Sequence, residues 1–216
     1  MFRLNENEIS FPDPLIYEGE EGIIAFGGDL SLERIWFAYQ LGIFPWYNPG
    51  EEILWWCPNP RFVLFPEELK VSKSMRKILK NDVFTITENQ NFEGVIKNCQ
   101  EITRKGQDGT WLSDELMANF IKLHKYGFAR SVEVWQNNEL VGGFYGLQIG
   151  RVFCGESMFA KVSNASKAGF IYFVETHRDQ LDIIDCQSHT DHLESLGARS
   201  IPKNDFLNIL YKNNER

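Results

Sequence analysis

Between residues 129 and 187 three apolar stretches, a helix and a fourth apolar stretch follow one another with little in between. ARSVEVW runs into LVGGFYGLQI through the turn QNNE, and LVGGFYGLQI runs into VFCGE through Gly-Arg. Connections this short join antiparallel neighbours. SNASKAGFIYFVETHRDQ then reads as one long helix and LDIIDCQS as a strand. Three antiparallel strands, a helix and a further strand predict an α+β sandwich whose sheet mixes its pairing. In this reading Glu156 ends its strand, ahead of a loop and the helix.

The rest of the chain supplies elements to flank that sheet. VSKSMRKILK has amphipathic helix spacing, VFTITE suits a strand, and 91–103 and 113–126 suit helices, the second capped by Ser113 and stopped by Gly127. Short helices are expected at 190–196 and 203–212. The first sixty residues differ in texture: FPDP, Gly27-Gly28, FPWYNPG and LWWCPNPRF concentrate proline and tryptophan. One helix is legible there, Leu32 to Leu41, with Ser31 as N-cap and Gly42 past its end. The remainder reads as aromatic loop. The expected organisation is a small N-terminal domain, 1–61, laid over a larger one, 62–216.

Composition then excludes several functions. At 216 residues, 43% hydrophobic and 14% aromatic, the chain can bury a sizeable core. No apolar run is long enough to span a bilayer, and MFRLNENEIS lacks the basic and apolar regions of a secretory signal. The four cysteines, 57, 99, 154 and 186, show no CxxC spacing, which fits free thiols in a reducing cytoplasm rather than a disulfide frame or zinc ribbon. A net charge of −8 argues against general polyanion binding but leaves room for a local basic face.

Four constellations can carry chemistry. IDCQSHTDH gathers Asp185, Cys186, Gln187, His189, Asp191 and His192. Alternation along a strand projects Asp185 and Gln187 together and turns Cys186 away, which disfavours a shared metal or a cysteine nucleophile. Cys186 is expected to pack as a small apolar residue, and the histidines to be bystanders on the next helix. Asp185 in an apolar strand needs a partner or a wet cleft, because an unpaired buried carboxylate is costly. CGESMFAKVSNASKAG places Glu156 and Met158 ahead of a helix start rich in small polar residues, without the glycine-rich pyrophosphate loop that an acyl-CoA enzyme needs. LKVSKSMRKILKN carries five basic residues and no acidic one; Lys73, Arg76, Lys77 and Lys80 share one helix face, opposite Val71, Met75, Ile78 and Leu79. That face suits solvent or phosphate contact. Among the aromatics, Trp46 and Trp111 sit in loop contexts suited to an apolar ligand pocket.

Together these motifs resemble the leucyl/phenylalanyl-tRNA–protein transferase family. GGDLS, AYQLGIFPWY, ILWWCPNPR, GTWLS, SVEVW, LVGGFYG, FCGESMF, NASKAG, IDCQ and HLESLGA occur in the family's order across residues 11 to about 210. The resemblance implies an acetyltransferase-like (GNAT-like) larger domain that takes aminoacyl-tRNA in place of acetyl-CoA, which agrees with the missing loop. It implies transfer of Leu, Phe or Met to the N-terminal amine of proteins beginning with Arg or Lys, marking them for N-degron degradation, with no cofactor and no metal. It assigns Asp185 and Gln187 to peptide-bond formation, and Tyr39, Trp46, Trp111, Glu156 and Met158 to the aminoacyl pocket. The basic helix takes the place of the family's acceptor-stem contact. Either Glu156 or Asp185 could instead hold the acceptor's cationic side chain or the aminoacyl ammonium. Asn59, Phe120 and Arg130 depart from the family's usual Asp, Tyr and His. Two other functions compete: an acyl-CoA-dependent N-acetyltransferase on the same fold, and a non-catalytic RNA-end binding module.

Overall fold

The computed structural model describes residues 1–102 and 112–214. The chain runs β1 (Phe2–Leu4), β2 (Ile23–Gly27), α1 (Leu32–Gln40), β3 (Phe44–Pro45), β4 (Leu54–Trp56), β5 (Arg61–Leu64), α2 (Lys73–Lys80), β6 (Thr85–Glu88), α3 (Phe92–Glu101) and α4 (Asp114–Lys125). It continues through β7 (Ala129–Gln136), β8 (Glu139–Ile149), β9 (Val152–Ala160), α5 (Ala165–His177), β10 (Ile183–Gln187), α6 (Asp191–Glu194), β11 (Arg199–Ile201) and α7 (Lys203–Asn214).

Seven strands form one sheet in the order β11-β5-β10-β9-β8-β7-β6. Only β9 and β10 pair in parallel within it; their connection is α5, while the turns at 137–138 and 150–151 make β7, β8 and β9 antiparallel. Asn137 and Asn138 both take positive φ, as a two-residue hairpin turn requires. The sheet buries both faces, and strand alternation sorts its side chains. Val63, Tyr145, Val152, Cys154 and Ile183 join one core, and Phe62, Leu64, Phe144, Phe153 and Ile184 the other. Each such Phe, Leu or Ile contributes roughly 1.5–3 kcal/mol when fully buried. Helices α3, α4 and α7 cover the first face, and α5 with α2 the second. Gly142 lets α5 lie close on β8, because a Cβ there would meet the Ala165 side chain.

The N-terminal stretch holds a second sheet, β1-β2-β4-β3. The expected aromatic loop is therefore corrected. Its strands are two to five residues long, too short for alternation to show. Trp55 anchors this sheet, buried and donating its indole N–H to the Gly27 carbonyl at 2.9 Å. Helix α1 forms as its cap predicts, with Ser31 Oγ accepting from Arg34 N–H. Gly42 follows at φ +75°, against Phe206 and Leu207 of α7, where any side chain would collide. The N-terminal residues thus share a core with α7 and the large sheet. Arg61, read as the last residue of the first domain, opens β5 of the large sheet.

Two further differences shape the site. Strand β9 does not stop at Glu156 but continues to Ala160, because Ser157, Met158, Phe159 and Ala160 keep pairing with β8. The helix expected over 163–180 is shorter, Ala165–His177.

Candidate active site

Strand β10 accompanies β9 for only three pairs, Ile183 with Val152 through Asp185 with Cys154. Beyond Cys154, β9 runs on without β10, and a cleft of about 730 Å³ opens where the two strands part. Phe44, Trp46 and Trp56 line it from the N-terminal side; Phe144, Phe153, Met158, Phe170 and Ile184 line its apolar depth. Glu156, Asp185 and Gln187 supply its polar wall.

A bulge on each strand aims those polar groups. In the β8–β9 ladder Gly146 pairs with Gly155 and Tyr145 with Ser157, so Glu156 is the extra residue. In the β5–β10 ladder Asp185 pairs with Val63 and Gln187 with Phe62, which leaves Cys186 extra. Gln187 takes φ +62°, a left-handed conformation uncommon for a residue with a side chain. Its backbone N–H donates to Asp185 Oδ1 at 2.9 Å and its Nε2 donates to Glu156 Oε1 at 2.8 Å. Asp185 and Gln187 do meet in one cluster, but the bulge at Cys186 rather than regular alternation sets Gln187 there, across from Glu156. Cys186 packs into the opposite core.

Asp185 is only 1% exposed and is gripped by Arg61, whose Nε donates to Oδ1 at 2.7 Å and whose NH2 group donates to Oδ2 at 2.6 Å. The guanidinium lies between the rings of Phe44 and Phe206, 4.9 and 4.6 Å from their centroids. Burial would make Arg61 easier to deprotonate, yet the Asp185 charge outweighs it and holds the cation more firmly than usual. Sequence reasoning gave Arg61 no role. The signal was available: RFVLF and IIDCQ are apolar stretches with one opposite charge each.

Glu156 has the opposite character. Burial, reinforced by the Asp185 charge and opposed by Tyr39, Gln187 and Arg61, pushes its carboxyl up to about 8. Tyr39 lies behind it, fully buried, its hydroxyl outside standard hydrogen-bond geometry yet near enough for burial and Glu156 together to raise it well above the usual phenol range. Phe120, where the family more often has tyrosine, packs edge-on against Tyr39 and Tyr145. The thiols of Cys154 and Cys186 are raised by burial and by Asp185, which leaves both as neutral packing groups.

Trp46 is 47% exposed at the mouth of the cleft, its ring 5.3 Å from that of Trp56. Met158 lies on the cleft wall. Trp111 falls outside the described residues. His189 contacts Glu194 at 3.0 Å and the edge of Phe62, and with Asp191 and Glu194 forms an exposed cluster. His192 is partly buried on the cleft wall; burial, then Lys167, lowers its basicity.

Helix α2 is capped by Ser72 and docks through Met75, Ile78 and Leu79, with Val71 just ahead of it, onto the core face that also carries α5. Lys73, Arg76, Lys77 and Lys80 are all exposed on it, and none has an ion-pair partner among the described residues. Of the departures, Asn59 Oδ1 accepts the Lys203 backbone N–H at the start of α7, and Arg130 pairs with Glu88 at 2.7 Å.

Comparison with known proteins places the chain in a family. Residues 63–211 match the family model described as leucyl/phenylalanyl-tRNA protein transferase, and 28–59 match the model of that protein's N-terminal domain. A relative so named from Flavobacterium johnsoniae is 54% identical over 204 residues, covering 94% of this chain and 96% of its own. One from Christiangramia forsetii is 51% identical, covering 97% and 100%; one from Azotobacter vinelandii is 50% identical, covering 96% and 92%. Similar solved structures include a GCN5-related N-acetyltransferase-like protein from Streptococcus suis, 11% identical at TM-score 0.38 over 74% of this chain and 59% of that one. On the family match and these identities, the chain belongs to the leucyl/phenylalanyl-tRNA protein transferase family.

Proposed function

We propose that the protein moves leucine, phenylalanine or methionine from aminoacyl-tRNA to the α-amine of proteins beginning with Arg or Lys. The observation that carries this reading is the polar group Glu156, Gln187 and Asp185 on the wall of a largely apolar cleft, with Arg61 buried against Asp185. An apolar depth lined by Phe144, Phe153, Met158 and Phe170 suits an unbranched-at-Cβ side chain, and the acidic wall suits a cationic acceptor. Trp46, with Trp111, holds the aminoacyl end, and Tyr39 backs the site from behind Glu156. Lys73, Arg76, Lys77 and Lys80 take the acceptor-stem phosphates.

The N-terminal part supplies Phe44, Trp46 and Trp56 to the cleft, and the large sheet, from Arg61 on, the catalytic side. Ester-to-amide exchange is downhill, so the reaction needs neither ATP nor a metal. An α-amine, with an ordinary pKa near ~7.7–8.0, is partly neutral at neutral pH. The protein's work is then positioning, for which an oriented complex can supply roughly 7–11 kcal/mol. Gln187, fixed by Asp185, orients the amine beside the ester. In the cell, cytoplasmic proteins so extended would enter N-degron degradation.

The test is transfer of labelled leucine from charged tRNA to an Arg-starting peptide, run beside an acetyl-CoA arm. Leucine transfer without acetyl transfer is expected. Acetyl transfer alone would move the protein to the acyl-CoA class, and tRNA binding with no transfer would make it a binding module.

A further inference from the structure

Within the proposed transfer reaction, we infer that Glu156 is the group that takes the proton from the attacking amine, and that Asp185 and Arg61 act as positioning residues. Three features of the geometry carry this. Asp185 is shut off from solvent, both its oxygens receive Arg61 N–H groups, and Oδ1 also receives the Gln187 backbone N–H. Its charge is matched and its geometry fixed, so its role is to lock the bulge that presents Gln187.

Glu156, by contrast, sits on the cleft wall as the extra residue of a bulge, and the single hydrogen bond it makes to Gln187 engages Oε1. With Tyr39 behind it, the carboxylate meets an incoming amine from the cleft side. The charged and titratable groups around it are Tyr39 of α1, Arg61 of β5, Cys154 of β9 and Asp185 of β10. Burial among them raises the Glu156 carboxyl to about 8, close to the ordinary pKa of an α-amine, where proton exchange between the two is nearly balanced.

The step conserves atoms and charge. The neutral amine attacks the ester carbonyl and forms the C–N bond, and one N–H proton passes to Glu156. As the tetrahedral intermediate collapses, the ester C–O bond breaks and the same proton passes from Glu156 to the departing ribose oxygen. Glu156 ends as it began.

Two groups must then be deprotonated together, the free amine and Glu156. Wild-type kcat/KM for the peptide should approach a two-proton dependence below pH ~7, a log–log slope of about 2. In Glu156→Gln the slope should fall to about 1 and kcat should drop by roughly 10²–10⁴. Added formate should restore part of the activity of Glu156→Ala. Asp185→Asn and Arg61→Lys should lower kcat yet keep the steeper slope. A Glu156→Gln variant that keeps the two-proton slope, or that raises KM with kcat unchanged, would overturn the inference and make Glu156 a binding group. Formate rescue of Asp185→Ala but not of Glu156→Ala would overturn it equally. The Glu156 variants decide the matter even where an Asp185 variant fails to fold. A wild-type protein that transfers nothing would overturn the function itself, a separate result.

Discussion

Replacing Arg61 with Met tests the pairing on which the site is built. Arg61 and Asp185 are 2% and 1% exposed at their side chains, and their two N···O contacts of 2.7 and 2.6 Å form a fork. Methionine keeps the stem between Phe44 and Phe206 but leaves a carboxylate buried without its cation. Removing one partner of such a pair costs about 3–5 kcal/mol, chiefly because the survivor's charge is uncompensated. At roughly 2–4 °C per kcal/mol for a chain of this size, Tm should fall by about 6–20 °C. The double variant Arg61→Met/Asp185→Leu removes both charges and should recover to within ~1–2 kcal/mol of wild type, because an apolar pair can replace a buried ion pair. Activity should stay lost, since the Gln187 backbone N–H then loses the Asp185 oxygen that fixes the bulge. Urea unfolding at pH 7 measures all three stabilities. An Arg61→Met cost below ~1 kcal/mol, or a double variant as unstable as the sum of the singles, would refute the reasoning.

Other outcomes follow from the same geometry. Glu156 is protonated more readily folded than unfolded, so its contribution to stability is full below pH ~4.5 and is lost as pH rises through about 8. Glu156→Gln should therefore be more stable than wild type at pH 9, by up to about 4–5 kcal/mol, with the difference vanishing near pH 5 in thermal melts. Substituting Arg76, Lys77 and Lys80 by Ala should weaken tRNA binding and reduce the slope of log K against log salt by roughly 2–3; an unchanged slope would remove α2 from the RNA face. Trp46→Ala should cost about 1–3 kcal/mol in affinity for an aminoacyl-adenosine fragment if its exposed ring stacks on the ligand, which calorimetry can read.

The centre of the large sheet was legible because its strands are long, whereas the short β5 and β11 gave no signal. Eight to eleven residues in β7, β8 and β9 give alternation room to show, and Gly-Arg and Asn-Asn mark the turns. Ser31 and Ser113 declared helix starts that the structure forms with their side chains as caps. The N-terminal sheet was not legible, since a two-residue strand such as Phe44–Pro45 has no period. At the site, Asp185 and Gln187 stood out as polar residues in an apolar strand, whereas the positions of Glu156 and Gln187 depend on bulges. A bulge is a mismatch between two strands and leaves no mark on either alone. Arg61 was hidden differently: 124 residues separate it from Asp185, and only the fold brings them together.

The most direct measurement is mass spectrometry of an Arg-starting peptide after incubation with leucyl-tRNA and the protein. The expected product is the peptide extended by one leucine at its N-terminus, absent when that N-terminus is acetylated and greatly reduced with Glu156→Gln. An unmodified peptide, or leucine attached elsewhere than the N-terminal amine, would contradict aminoacyl transfer at the Glu156–Gln187 cluster.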